Sequence, residues 1–138
     1  MNIENPHKTY RSSNKIIYSC QYHVIFCTKY RKTLLRSNEV SQRCKEIMNE
    51  IAKEHDFLII SMEVMEDHVH LLIDVNPRLG VCKAIKYLKG ATSKILREEF
   101  REVKSRAPCL WTGSYFVSSV GCVLLETVKK YIEGQKGK

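Results

Sequence analysis

Hydrophobic and polar positions along the chain divide it into alternating strand-like and helix-like stretches. "KIIYSCQYHVIFCT" (15–28) is rich in β-branched and aromatic residues and predicts a central strand. From Glu39 to His55 the apolar residues Val40, Cys44, Ile47, Met48 and Ile51 recur at helical spacing, with Ser37 or Asn38 placed to cap the start. "FLIISMEVM" (57–65) and "HVHLLIDV" (68–75) predict two strands joined by a tight hairpin at Glu66-Asp67, the second ending at Asn76-Pro77. A second helix is predicted from Leu79 to Val103, with Val81, Ile85, Leu88, Ile95 and Phe100 inward and Arg106-Ala107-Pro108 as its breaker. "SYFVSSV" (114–120) gives a fourth strand and "VLLETVKKYIEGQ" (123–135) a closing helix. The first six elements follow the split β-α-β order of a ferredoxin-like α+β fold (β-α-β-β-α-β): an antiparallel sheet, two helices on one face, and an additional C-terminal helix. Residues 1–14 are expected as a flexible polar tail and 15–138 as one domain.

Composition narrows the partners. The chain has 138 residues, 43% hydrophobic and 28% charged, as in an ordinary globular domain. No apolar stretch approaches the roughly 20 residues of a membrane helix. The first residues also lack the apolar core of a signal peptide, so a cytoplasmic protein without membrane contact is expected. A net charge of +8 favours a polyanionic partner, nucleic acid first, although solubility alone is also served by it. Six scattered cysteines read as small buried hydrophobes, and a zinc site through Cys20, His23 and Cys27 is disfavoured because Cys20 points away from the other two on a strand.

The candidate chemistry lies in "DHVHLLI". Strand alternation puts His68 and His70 on one face, their Cβ atoms about 7 Å apart, so that both rings can converge on one ion. Two polar residues on a solvated sheet face would give the same alternation. A histidine-triad hydrolase would need a third histidine where Leu72 stands. On the closing helix, Tyr131 and Gln135 are four residues apart and share a face, although spacing alone equally describes Tyr131 as a boundary aromatic. Lys83, Lys86, Lys94 and Arg97 follow one face of the second helix, either as a solvated face or, with Lys29, Arg31 and Lys32, as a track for a DNA backbone.

Together "YSCQYHVIFCTKYRK", "DHVHLLI", "WTGSYFVSSVG" and "LETVKKYIEGQ" resemble the single-tyrosine HUH transposases, the TnpA proteins of small insertion sequences, over residues 15–135. The resemblance implies a metal-dependent DNA strand transferase and endonuclease of a bacterial or archaeal cell. His68, His70 and Gln135 would hold Mg²⁺ or Mn²⁺, and Tyr131 would form a 5′-phosphotyrosine intermediate. Its partners would be single-stranded DNA with hairpins at transposon ends and a second copy of the chain, in a homodimer with active sites shared between subunits. Two alternatives stand beside it: a domesticated, repeat-associated tyrosine nickase, and a non-enzymatic module that stacks single-stranded bases on an open sheet.

Overall fold

The computed structural model describes residues 11–13, 16–120, 130 and 132–135. Its elements are β1 (Arg11–Ser13), β2 (Ile16–Tyr18), β3 (Gln21–Cys27), α1 (Asn38–Glu54), β4 (Leu58–Val64), β5 (His68–Asp74), α2 (Val81–Glu99), α3 (Arg101–Arg106) and β6 (Phe116–Ser119). Strands β4-β5-β3-β6 form one antiparallel sheet in that order, with β3 central as its composition predicted. This is the ferredoxin-like strand order, and the fold is α+β as expected.

One face of the sheet carries the core. Val24 and Phe26 of β3 and Val69, Leu71 and Ile73 of β5 are buried together with Val40, Cys44, Ile47 and Met48 of α1 and Ala84, Ile85, Leu88 and Leu96 of α2. Each such large apolar side chain contributes about 1.5–3 kcal/mol on burial. That burial also sets the register, because a one-residue slip of β5 would send His68 and His70 into the core. Helix α1 starts where Ser37 accepts a hydrogen bond from the Val40 N–H, a cap of the kind that stabilises by about 1 kcal/mol. Trp111 packs edge-on against Phe26, and its Nε1–H donates to the buried Thr92 hydroxyl at 2.8 Å, tying the loop before β6 to α2.

The structure departs from the sequence expectations in four places. The first strand is interrupted at Ser19-Cys20, and Arg11–Ser13, expected within the tail, pairs with β2. The β4–β5 connection has three residues, Met65 to Asp67, closed by the Met65 N–H donating to the His68 carbonyl at 2.8 Å. The second helix stops at Glu99. Phe100 turns extended (φ −124°, ψ 106°) and packs on the core, and α3 then buries Val103 along a new direction. Of the closing helix, Lys130 and Ile132 to Gly134 are helical and Gln135 lies in the turn that follows. Its other residues, Tyr131 among them, lie outside the described residues, as do residues 1–10 of the tail.

Candidate active site on the sheet face opposite the helices

Antiparallel pairing decides which side chains share the face opposite the helices. His68 stands across from Cys27 and His70 across from Ile25, while His23 pairs with Leu72. Alternation therefore collects His23, Ile25, Cys27, His68 and His70 on one side. Strand β4 adds Glu63 opposite His70, and β6 adds Phe116 and Ser118. Ile25 and Cys27 are buried although they turn away from the core. Burial pushes the Cys27 thiol up to about 11, so it stays neutral and is a poor metal ligand.

Each histidine has a partner of its own. His68 Nδ1 lies 2.9 Å from Asp67 Oδ1. Burial alone would raise the Asp67 carboxyl. The bonds from His68 and Arg31 more than offset this and hold it below the usual carboxylate range. An ionised carboxylate can only accept, so Nδ1 is the donor of this bond and Nε2 is the ring nitrogen left to face a ligand. His70 Nε2 lies 3.4 Å from His23 Nδ1, with the ring centres 5.6 Å apart. Burial, and then the neighbouring His23, pull His70 below the ordinary imidazole value, and burial does the same to His23. Both are neutral at pH 7, the form that binds metal.

This has a consequence for stability. In the unfolded chain the two imidazoles protonate near pH 6.5. Below that pH the unfolded state takes up protons that the folded state refuses, so stability falls as pH falls towards the lower folded values. The Asp67 window lies lower still, because its carboxyl is held down rather than up. The urea midpoint is therefore expected to drop between pH 7 and pH 5 in metal-free protein, with a shallower drop in His23→Gln. An equal drop in that variant would remove His23 from the account.

Arg31 organises the edge of the site. Its Nε and a terminal nitrogen donate to Asp67 Oδ2 at 2.9 and 2.8 Å, and Nη1 donates to the Ile132 carbonyl at 3.0 Å. To aim it there, Tyr30 and Arg31 both take left-handed backbone angles (φ 58° and 53°), at a cost of the order of 1 kcal/mol each. The bend is held by Thr28, whose N–H donates to the Asp67 carbonyl and whose hydroxyl is shared between the Lys32 carbonyl at 2.6 Å and that of Asp67 at 3.1 Å, and by the Leu35 N–H on the Glu66 carbonyl. Gln135 is buried, and its N–H donates to the same Ile132 carbonyl at 3.2 Å. A continuous run of bonds thus leads from the Gln135 turn through Arg31 and Asp67 to His68.

The basic residues separate into two groups. Lys83, Lys86 and Lys94 are exposed along α2, and the first two line an open cavity of about 920 Å³ with Gly90, Trp111 and Tyr115. Arg97, expected beside them, is half-buried and donates to the Ala107 carbonyl at 2.8 Å. Arg31 turns inward instead of outward, and Lys32 is bonded to the Arg106 carbonyl. Lys29 lies over the Tyr30 ring. Spacing on a helix reports which face a cation shares, not whether a carbonyl has already captured it. Sequence reasoning gave Asp67 and His23 no role in the site. Adjacency to His68 and shared parity with Cys27 were the signals for them.

A divalent ion would suit this face. Among the described residues no three His, Cys, Asp or Glu side chains group as a cation site. The residues of this face that could hold one are His68 and His70, and imidazole nitrogens completed by oxygen donors and water form a set that Mg²⁺ or Mn²⁺ would accept.

The family profile described as "Transposase IS200 like" matches residues 16–135. The ISDra2 transposase TnpA of Deinococcus radiodurans is 36% identical over 124 residues, covering 88% of each chain. The transposase for insertion sequence element IS200 of Salmonella typhimurium is 30% identical over 106 residues, 75% of this chain and 69% of that one. A crystal structure of a candidate transposase from Deinococcus radiodurans R1 superposes with a TM-score of 0.83 at 32% identity, over 93% of this chain and 99% of the other. A REP-associated tyrosine transposase bound to a REP hairpin shares the fold, with a TM-score of 0.56 at 10% identity over 88% of this chain and 69% of that one.

Proposed function

The chain belongs to the IS200-like transposases, DNA transposases, and from that premise we propose that it cleaves and rejoins single-stranded DNA at hairpin-bearing insertion-sequence ends through a 5′-phosphotyrosine on Tyr131. The observation that carries the reading is the His68–His70 pair. The two share the sheet face opposite the helices, His68 bonded to Asp67, and the turn containing Gln135 is bonded to Arg31, the residue that holds that carboxylate. His68 and His70, with Gln135, would hold Mg²⁺ or Mn²⁺. Such an ion, when bound, polarises the scissile phosphate and stabilises the leaving oxygen.

The chain's own groups do the rest. The Tyr131 hydroxyl loses its proton and attacks phosphorus. The bond from phosphorus to the 3′-oxygen breaks, and that oxygen takes up a proton as a free 3′-OH. The phosphotyrosine keeps the phosphodiester energy, so a 3′-OH can reverse the step without ATP. Lys83, Lys86 and Lys94 are exposed along α2, where their ammonium groups can meet the phosphate backbone. A purely binding module would have no use for a histidine whose proton is fixed by a carboxylate.

The active species is a homodimer in which the Arg31–Ile132 contact, made here within one chain, is exchanged between subunits, so that each site takes His68 and His70 from one subunit and Tyr131 from the other. The test mixes a His68→Ala, His70→Ala chain with a Tyr131→Phe chain on a labelled hairpin oligonucleotide. Each homodimer is expected to be inactive, and the mixture to recover up to about a quarter of wild-type sites: random exchange makes half the dimers mixed, each with one intact site of two. No recovery, with subunit exchange confirmed, would assign the site to one subunit.

A further inference from the structure

Arg31 is the one side chain among those described that bonds both to the carboxylate on His68 and to the segment beside Tyr131. Its side chain is 11% exposed, so a donor that loses its protein partner is left in a largely water-poor place. Tyr30 and Arg31 both keep left-handed backbone angles, and the bend they make carries the guanidinium to Asp67 and Ile132. Thr28 and Leu35 brace the bend against the Glu66-Asp67 loop and leave the guanidinium to connect that loop to Ile132.

We infer that Arg31 is a positioning residue that couples docking of the Tyr131-bearing segment to the orientation and tautomer of His68. When the segment is seated, Nη1 has the Ile132 carbonyl, and Nε with the remaining nitrogen grips Asp67 side-on. The gripped carboxylate then holds the His68 Nδ1–H and leaves Nε2 for a ligand. When the segment leaves, the guanidinium loses one partner and its hold on Asp67 loosens. The coupling is reciprocal: disturbing Asp67 weakens the seat of the segment, which among the described residues Asp67 reaches through Arg31. A nucleophile and a metal ligand are thereby made ready together, so the site is complete only when both are in place. Lysine cannot replace Arg31, because one ammonium does not present a side-on fork and a third donor at once.

The inference deepens the proposed strand-transfer reading, and its test uses protein without DNA or metal, so the two can fail separately. Amide hydrogen exchange at the 132–135 turn and the imidazole ¹⁵N signals of His68 are measured in wild type, Arg31→Lys and Asp67→Asn. Both variants are expected to exchange the Gln135 amide about ten-fold faster or more, and to move the His68 signals away from the Nδ1–H tautomer. Amides of Val69 and Leu71 in β5 report whether the sheet is intact. If Arg31→Lys disturbs the sheet, the isosteric Asp67→Asn decides. Asp67→Asn that shifts His68 but leaves the turn as protected as in wild type would overturn the coupling. So would a loosened turn with an unchanged His68 signature.

Discussion

Replacing Tyr131 by phenylalanine is expected to abolish DNA cleavage and the covalent protein–DNA adduct, lowering the rate by at least about 10⁴-fold, as losing a sole nucleophile does elsewhere. Hairpin binding should survive, since the ring and the basic face of α2 remain. The chain has seven tyrosines; Tyr10, like Tyr131, lies outside the described residues, and the other five are each engaged elsewhere or compete with Tyr131 as follows. Tyr18 is buried, and burial raises its phenol. Tyr22 faces the helices, and Tyr87 stacks on His55 at 3.9 Å. Tyr115 lines the cavity on the helix side of the sheet, and the Cys82 thiol beside it, with burial, raises its phenol further. Tyr30 is the serious competitor: it is 55% exposed and sits next to Arg31 at the edge of the site. Its left-handed backbone, however, serves to aim Arg31, and its ring lies under Lys29. Tyr30→Phe and Tyr115→Phe should therefore keep the adduct, as read on a denaturing gel with 5′- and 3′-labelled strands. An adduct that persists in Tyr131→Phe and disappears in Tyr30→Phe would move the nucleophile to the 28–32 bend.

What could be read in the sequence follows from how local each signal is. The alternation in "HVHLLID" is a property of one strand, and the buried Val69, Leu71 and Ile73 leave only one orientation for the two histidines. The order of elements was legible for the same reason, each being carried by its own apolar period. The bend at Tyr30-Arg31 was not, because neither residue advertises a left-handed backbone as glycine would. Nor could spacing show that Arg31 and Arg97 spend their donors on Asp67, Ile132 and Ala107, since those partners lie 36, 101 and 10 residues away. The break at Phe100 was missed because "EEFREV" keeps good helix formers on both sides. Packing of Phe100 and Val103 on the core outweighs a propensity difference of a few tenths of a kcal/mol per residue.

The second large effect is expected at the histidines. His68→Ala and His70→Ala should each lower cleavage by roughly 10²- to 10³-fold or more, the scale of removing one preorganised stabiliser of a charged transition state. They should do so by different routes. His68 is held by Asp67 with Nε2 open, so its loss removes a ligand whose tautomer is already set and leaves the Arg31–Asp67 pair intact. His70 is half-buried beside His23, and its loss leaves His23 without its partner ring and opens space between β3 and β5. A titration with Mn²⁺, read by the fall of the free-ion electron paramagnetic resonance signal, should show weaker binding in both variants, with cleavage on hairpin DNA lost in parallel. Chelator should silence the wild type, and Mg²⁺ or Mn²⁺ should restore it but not the variants. Gln135→Ala is expected to cost less than either, because water can take the place of one neutral amide oxygen, whereas nothing in solvent replaces a positioned imidazole. Cleavage at the full rate in excess chelator would sink the metal reading while leaving Tyr131 untouched. The pair would then have to act through their own ring N–H groups rather than through an ion.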